Sequence, residues 1–137
     1  MTRRASRTQP CSRAQALTRI DNARKSLEVA ELASSEQEIP ASRSVAAALA
    51  VLSGIASSDA ACCAAFGRRA RGEDHREAVA LLRQVGGGNR AAKSLAALLD
   101  LKDTAHYGLI NVSTPELKRA SRNAKALIDF ADQVVRR

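Results

Sequence analysis

Asp59, Lys102 and His106 are the residues in this sequence whose types and positions are suited to chemistry. Each interrupts an apolar stripe drawn at about 100° per residue. In one helical stretch Val45, Leu49, Leu52, Ala56, Cys63 and Phe66 share a narrow stripe, and Asp59 falls in its middle. In a second stretch the stripe of Ala91, Leu95, Leu98 and Leu99 continues in register to Lys102 and His106. Residues four apart on a helix stack on one face, so Lys102 and His106 can share a ligand. A carboxylate inside an apolar stripe is costly unless it is paired, hydrogen-bonded or open to a cavity. If the two stripes face each other, Asp59, Lys102 and His106 form one polar cluster. Two readings fit that cluster. One is an Asp59–Lys102 ion pair with His106 capping a helix near its negative end. The other is a catalytic site in which His106 moves a proton and Lys102 steadies a phosphate.

Basic residues supply a second kind of candidate. The chain carries a net charge of +8, and its first residues contribute Arg3, Arg4, Arg7 and Arg13 with no acid among them. Such an arm can contact nucleic-acid phosphates, or simply keep the chain soluble. Arg68, Arg69 and Arg71 form a basic turn open to the same partner. His75 opens a helix and reads as a surface residue. Gly86-Gly87-Gly88 lacks both a preceding strand and a following Lys-Ser/Thr, so it is not a phosphate-binding P-loop. Cys62, Cys63 and His75 show no zinc-ligand spacing, and neither a metal nor another cofactor is expected.

These residues must be positioned by helices. Ala and Leu dominate, β-branched residues are scattered, and there is no Trp, one Tyr and two Phe. That composition predicts an all-α up-and-down bundle of four main helices plus one short helix, with no sheet. Residues 1–11 are polar and aperiodic and read as a disordered basic arm, with 12–137 a single domain. Removal of that arm is expected to change stability by no more than about 0.5 kcal/mol. Ser12 caps a first helix to about Ala33 with Leu17, Ile20, Ala23, Leu27 and Ala30 inward. Ser42 caps a second helix ending near Gly67. Asp74 caps a short third helix, roughly His75 to Val85. A fourth covers about Arg90 to Tyr107 and stops at Gly108. Ser113-Thr114-Pro115-Glu116 is the clearest start signal, with a cap residue, Pro at the first position and an acid in the first turn.

Cys62 and Cys63 are neighbours on a helix and cannot bridge each other, and Cys11 lies in the arm, so no disulfide framework is expected. That pattern fits a reducing cytosol. No apolar run is expected to reach the roughly 18 residues of a membrane span, and the basic N-terminus has no apolar segment behind it. A cytoplasmic protein without membrane contact is the expectation.

Two stretches resemble HEPN domains. One runs from Gly54-Ile55-Ala56 through Phe66, then Gly72 and Asp74-His75-Arg76-Glu77-Ala78-Val79. The other is Leu98-Leu99-Asp100-Leu101-Lys102-Asp103-Thr104-Ala105-His106-Tyr107-Gly108, placed just before the last helix. The likeness covers roughly residues 15–135. It implies a helical bundle that commonly forms a homodimer. Many HEPN members are metal-independent RNases with an Arg and a His a few residues apart, and others are partners of nucleotidyltransferases. By this resemblance His106 takes the family's His position and Lys102 its Arg position, while Asp59 lies on the helix that often adds a polar residue. Lys gives a point charge where Arg gives a bidentate fork. The resemblance implies RNA binding and cleavage. The alternatives are a non-catalytic partner of a nucleotidyltransferase and a basic protein that coats nucleic acid.

Overall fold

With so few aromatic side chains, close approach of helix axes has to supply the packing that large rings supply elsewhere. A computed structural model describes residues 7–72 and 75–137, without the side chains of His106 and Tyr107. Among the described residues there are five helices, α1 (Arg13–Ser34), α2 (Pro40–Phe66), α3 (His75–Gln84), α4 (Asn89–Tyr107) and α5 (Thr114–Val135). The architecture is predominantly all-α. Two short strands, β1 (Thr8–Pro10) and β2 (Arg68–Ala70), pair antiparallel with Gln9 opposite Arg69.

The helix signals act locally as the residues dictate. Ser12 caps α1 through a reciprocal box with Gln15, and Ser113 caps α5 through one with Glu116. Helix α2 starts earlier than Ser42. Its cap position is Ile39, which makes no side-chain cap bond, and Pro40 occupies the first turn, where its missing N–H costs nothing. At its far end Gly67 takes φ +67°, the left-handed conformation that terminates helices, and its N–H bonds Cys63 O. The proposed cap Asp74 lies outside the described residues.

Helix α2 is the axis of the molecule. It touches every other helix, and fourteen of its residues from Ala46 to Cys63 are buried. By length and composition it could cross a membrane, but most of its apolar window is enclosed by the bundle. Small residues make this enclosure feasible. Ala16, Ala23 and Ala30 of α1 are fully buried, and Ser53 of α2 donates to Ala23 O at 2.8 Å. On α5 Leu117, Ala120, Ala124, Leu127, Ala131 and Val134 all point inward, as their spacing predicts. One core cluster draws side chains from all five helices.

Gly54 marks the closest approach. A Cβ there would overlap Leu98 Cδ1 of α4 and stand 3.2 Å from Leu127 Cδ1 of α5. Both leucines are buried, so one or both would have to shift to admit it. Gly54→Ala should therefore cost about 1–3 kcal/mol from overpacking, outweighing the roughly 1 kcal/mol that Ala adds to helix propensity. Urea unfolding of the variant checks this, and a gain in stability would show the helices to be looser.

Four sequence expectations are corrected. Leu17 is exposed, because the inward face of α1 runs through Ala16, Ile20, Ala23, Leu27 and Ala30. Val45, Leu52 and Phe66 are exposed too, because the inward arc of α2 is nearly all-round and its outward ridge carries Val45 and Leu52. A small sheet does form. Thr8–Pro10 are strand rather than disordered arm, held by the β2 ladder and by Arg71 N–H to Arg7 O at 2.8 Å. Cys11 is disulfide-bonded to Cys63 with Cα atoms 5.5 Å apart. A pattern of one-dimensional spacing does not show this pair, since the partners are 52 residues apart and meet only when β1 lies along the end of α2. The cysteine argument for a reducing compartment loses its premise.

Candidate functional site

The candidate site lies where β2 and the start of α3 cross the middle of α2 and the C-terminal half of α4. A cavity of about 210 Å³ there is lined by Asp59, His75 and Lys102 among apolar walls that include Leu52, Ile55 and Leu99. It is smaller than the roughly 300–1,000 Å³ of sites for drug-sized ligands.

Each polar member arrives by a separate element. Asp59 comes from α2, at the point where its stripe turns under β2. Lys102 comes from α4, one turn before the helix end. His75 is the first residue of α3, folded back against α4 after the Gly86-Gly87-Gly88 turn. Asp59 and Lys102 are both buried, at 7% and 8% exposure. Burial at that level makes an unpartnered charge untenable, and both have partners.

Lys102 Nζ lies 2.9 Å from His75 Nε2. An ammonium has donors only, so with Lys102 protonated Nε2 is the acceptor and the His75 ring proton sits on Nδ1. The imidazole is then neutral, with its basic nitrogen aimed at a cation inside the cavity.

Asp59 is held from the other side. Its Oδ2 accepts from Arg19 Nη2 of α1 at 3.0 Å and stands 3.8 Å from Arg69 Nη1 of β2. The ion pair of the structural reading therefore runs to Arg19 and Arg69 rather than to Lys102. Burial raises the Asp59 pKa above the ordinary carboxylate range, and the two guanidinium charges pull it back only in part. Burial, then the nearby Asp59 charge, pushes the Cys62 thiol up to about 12, so this free cysteine is a poor nucleophile.

The remaining sequence candidates are spread around this core. His106 is on α4, one turn beyond Lys102, and its side chain lies outside the described residues. Arg68 of β2 is exposed with its guanidinium 6.0 Å from the Phe66 ring centroid, and Arg71 is exposed just past the strand. Arg7 is exposed beside β1, while Arg3 and Arg4 lie outside the described residues. Among the described residues no group of three His, Cys, Asp or Glu gathers to hold a metal ion.

Two site residues escaped the sequence reading. His75 had a signal, the Asp-His helix start, but its role depends on α3 folding back onto α4. Arg19 had none, because it follows the polar side of α1 and meets Asp59 across 40 residues of chain.

No protein-family model matches the chain, and no curated protein matches it.

Proposed function

We propose that the chain is a HEPN-like RNA-binding protein that cleaves RNA without a metal, using the cavity between α2, α3 and α4. The observation that carries this reading is the buried His75–Lys102 contact at 2.9 Å beside the Asp59–Arg19–Arg69 network. Ionisable groups concentrated in one small cavity are characteristic of sites that move protons.

The chemistry suits attack of a ribose 2′-OH on the adjacent phosphate. A bound phosphate draws Lys102 Nζ away from His75, so Lys102 neutralises charge growing on the phosphate oxygens while the freed His75 Nε2 takes the hydroxyl proton as general base. Water-poor walls strengthen both effects. His106, by its match to the family's position, supplies the proton to the departing 5′ oxygen. The chain has two histidines, enough for one base and one acid. Arg68 and Arg71 hold flanking phosphates in solvent. Cleavage of single-stranded RNA in excess chelator tests this reading, with DNA of the same sequence as the resistant control because it lacks the 2′-OH.

The same proposal includes a two-fold homodimer. Leu109 and Ile110, just past the end of α4, are 103% and 78% exposed, and Val45 and Leu52 stand out from α2 at 55% and 44%. A contiguous exposed apolar patch marks an interaction surface, and Leu109 and Ile110 are neighbours in sequence and both exposed. Light scattering at micromolar concentration should give twice the chain mass, and Leu109→Ser with Ile110→Ser should return it to one. A monomer mass throughout contradicts the dimer.

A further inference from the structure

A second cavity, of about 380 Å³, opens on the other side of Asp59. Its lining includes Arg19, Arg69, Gln9, Gln15 and Thr18. The two arginines that grip Asp59 thus face a space that the first cavity does not share. Their side chains are 34% and 32% exposed, whereas that of Asp59 is 10% exposed. Among the described residues, two guanidinium groups against one carboxylate leave one positive charge over at the wall of a polar cavity. Arg19 gives Asp59 one N–H of the five that a guanidinium carries. A planar fork with donors to spare is matched to phosphate oxygens, and the surplus charge equals that of one phosphodiester.

We propose that Arg19 and Arg69 form a phosphate-binding subsite in this second cavity, with Asp59 as the resident carboxylate that competes with the phosphate for both guanidinium groups. Resting on the RNA reading above, the occupant is the phosphodiester next to the one at His75 and Lys102, because Asp59 separates the two cavities. The subsite sets where along the strand the reacting phosphate sits. It also gives Asp59 a role opposite to that of a binding residue, since its charge weakens the subsite it stabilises.

The opposite signs make the test sharp. Inorganic phosphate is titrated calorimetrically into the full oxidised chain at constant ionic strength. Saturable binding is expected, weakened roughly tenfold by Arg19→Gln, as for loss of one charge-assisted contact. Asp59→Asn should tighten binding several-fold. Arg24→Gln, which breaks only the outer pairs with Asp21 and Asp132, should leave it unchanged. Should Asp59→Asn fail to fold, Arg69→Gln replaces it and must weaken binding as Arg19→Gln does. An absence of saturable binding, equal losses in Arg19→Gln and Arg24→Gln, or weaker binding by a folded Asp59→Asn overturns the proposal. A second arm titrates a short single-stranded RNA at several salt concentrations, where Arg19→Gln should reduce the salt slope by about 0.7. Phosphate binding without any RNA binding keeps the subsite for free phosphate and removes the RNA reading. RNA cleavage without phosphate binding does the reverse.

Discussion

Replacing Cys11 by Ser is expected to lower the unfolding free energy by about 2–4 kcal/mol. The disulfide to Cys63 closes a loop of 52 residues, for which the chain-entropy account gives roughly 4 kcal/mol, and measured effects usually fall short of it. For a chain of this size the loss corresponds to a melting temperature lower by on the order of 10 °C. Reduction of the native protein with dithiothreitol should reproduce the shift, and the Cys11→Ser variant should then be insensitive to reductant. Deletion of residues 1–11 should cost at least as much as Cys11→Ser, since it also removes β1 from β2. This reverses the expectation for an unpacked tail. If deletion leaves the melting temperature unchanged, neither the strand nor the disulfide is stapling the fold.

The second large effect concerns catalysis. His75→Ala should reduce RNA cleavage by about 10²–10⁴-fold, the range for loss of a positioned general base. Lys102→Ala should cost about 10²-fold or more through lost stabilisation of the charged transition state. Stability separates these effects from unfolding. His75 is at a helix start and only partly buried, so its variant should melt close to the native protein. Lys102 is packed, and truncating it leaves a void, so its melting temperature should fall somewhat while Lys102→Met restores the volume but not the activity. Rescue of activity by Lys102→Met would remove the electrostatic role.

The parts legible in the sequence are those governed by nearest neighbours. Ser12 with Gln15 and Ser113 with Glu116 announce two helix starts, and Gly67 announces a helix end, because caps are local hydrogen-bond problems. The inward residues of α5 follow from one clean stripe on a helix packed from one side. Helix α2 defeats the same method. It is surrounded, so a single stripe cannot describe it, and Val45 and Leu52 turn out to face solvent. Lys102 was visible as a break in a real stripe, after buried Leu95 and Leu98. Asp59 was marked on a stripe whose Val45, Leu52 and Phe66 are exposed, and it stands out only as a charge among small buried residues. Their partners were not visible. Arg19, Arg69 and His75 reach them through tertiary contacts spanning 10 to 40 residues, and spacing carries no record of such contacts. Cys11 pairs with Cys63 for the same reason, once a strand too short to show periodicity has docked.

Cleavage chemistry at the His75–Lys102 cavity is the central claim, and one comparison tests it most directly. A single-stranded RNA and its counterpart with 2′-deoxy sugars are incubated in chelator with the native chain and with His75→Ala, and the product ends are identified. The expected result is cleavage of the ribose strand alone by the native chain, leaving 2′,3′-cyclic phosphate ends, and its near-complete loss in His75→Ala. An intact RNA with the native chain, or equal cleavage by a folded His75→Ala, contradicts the account.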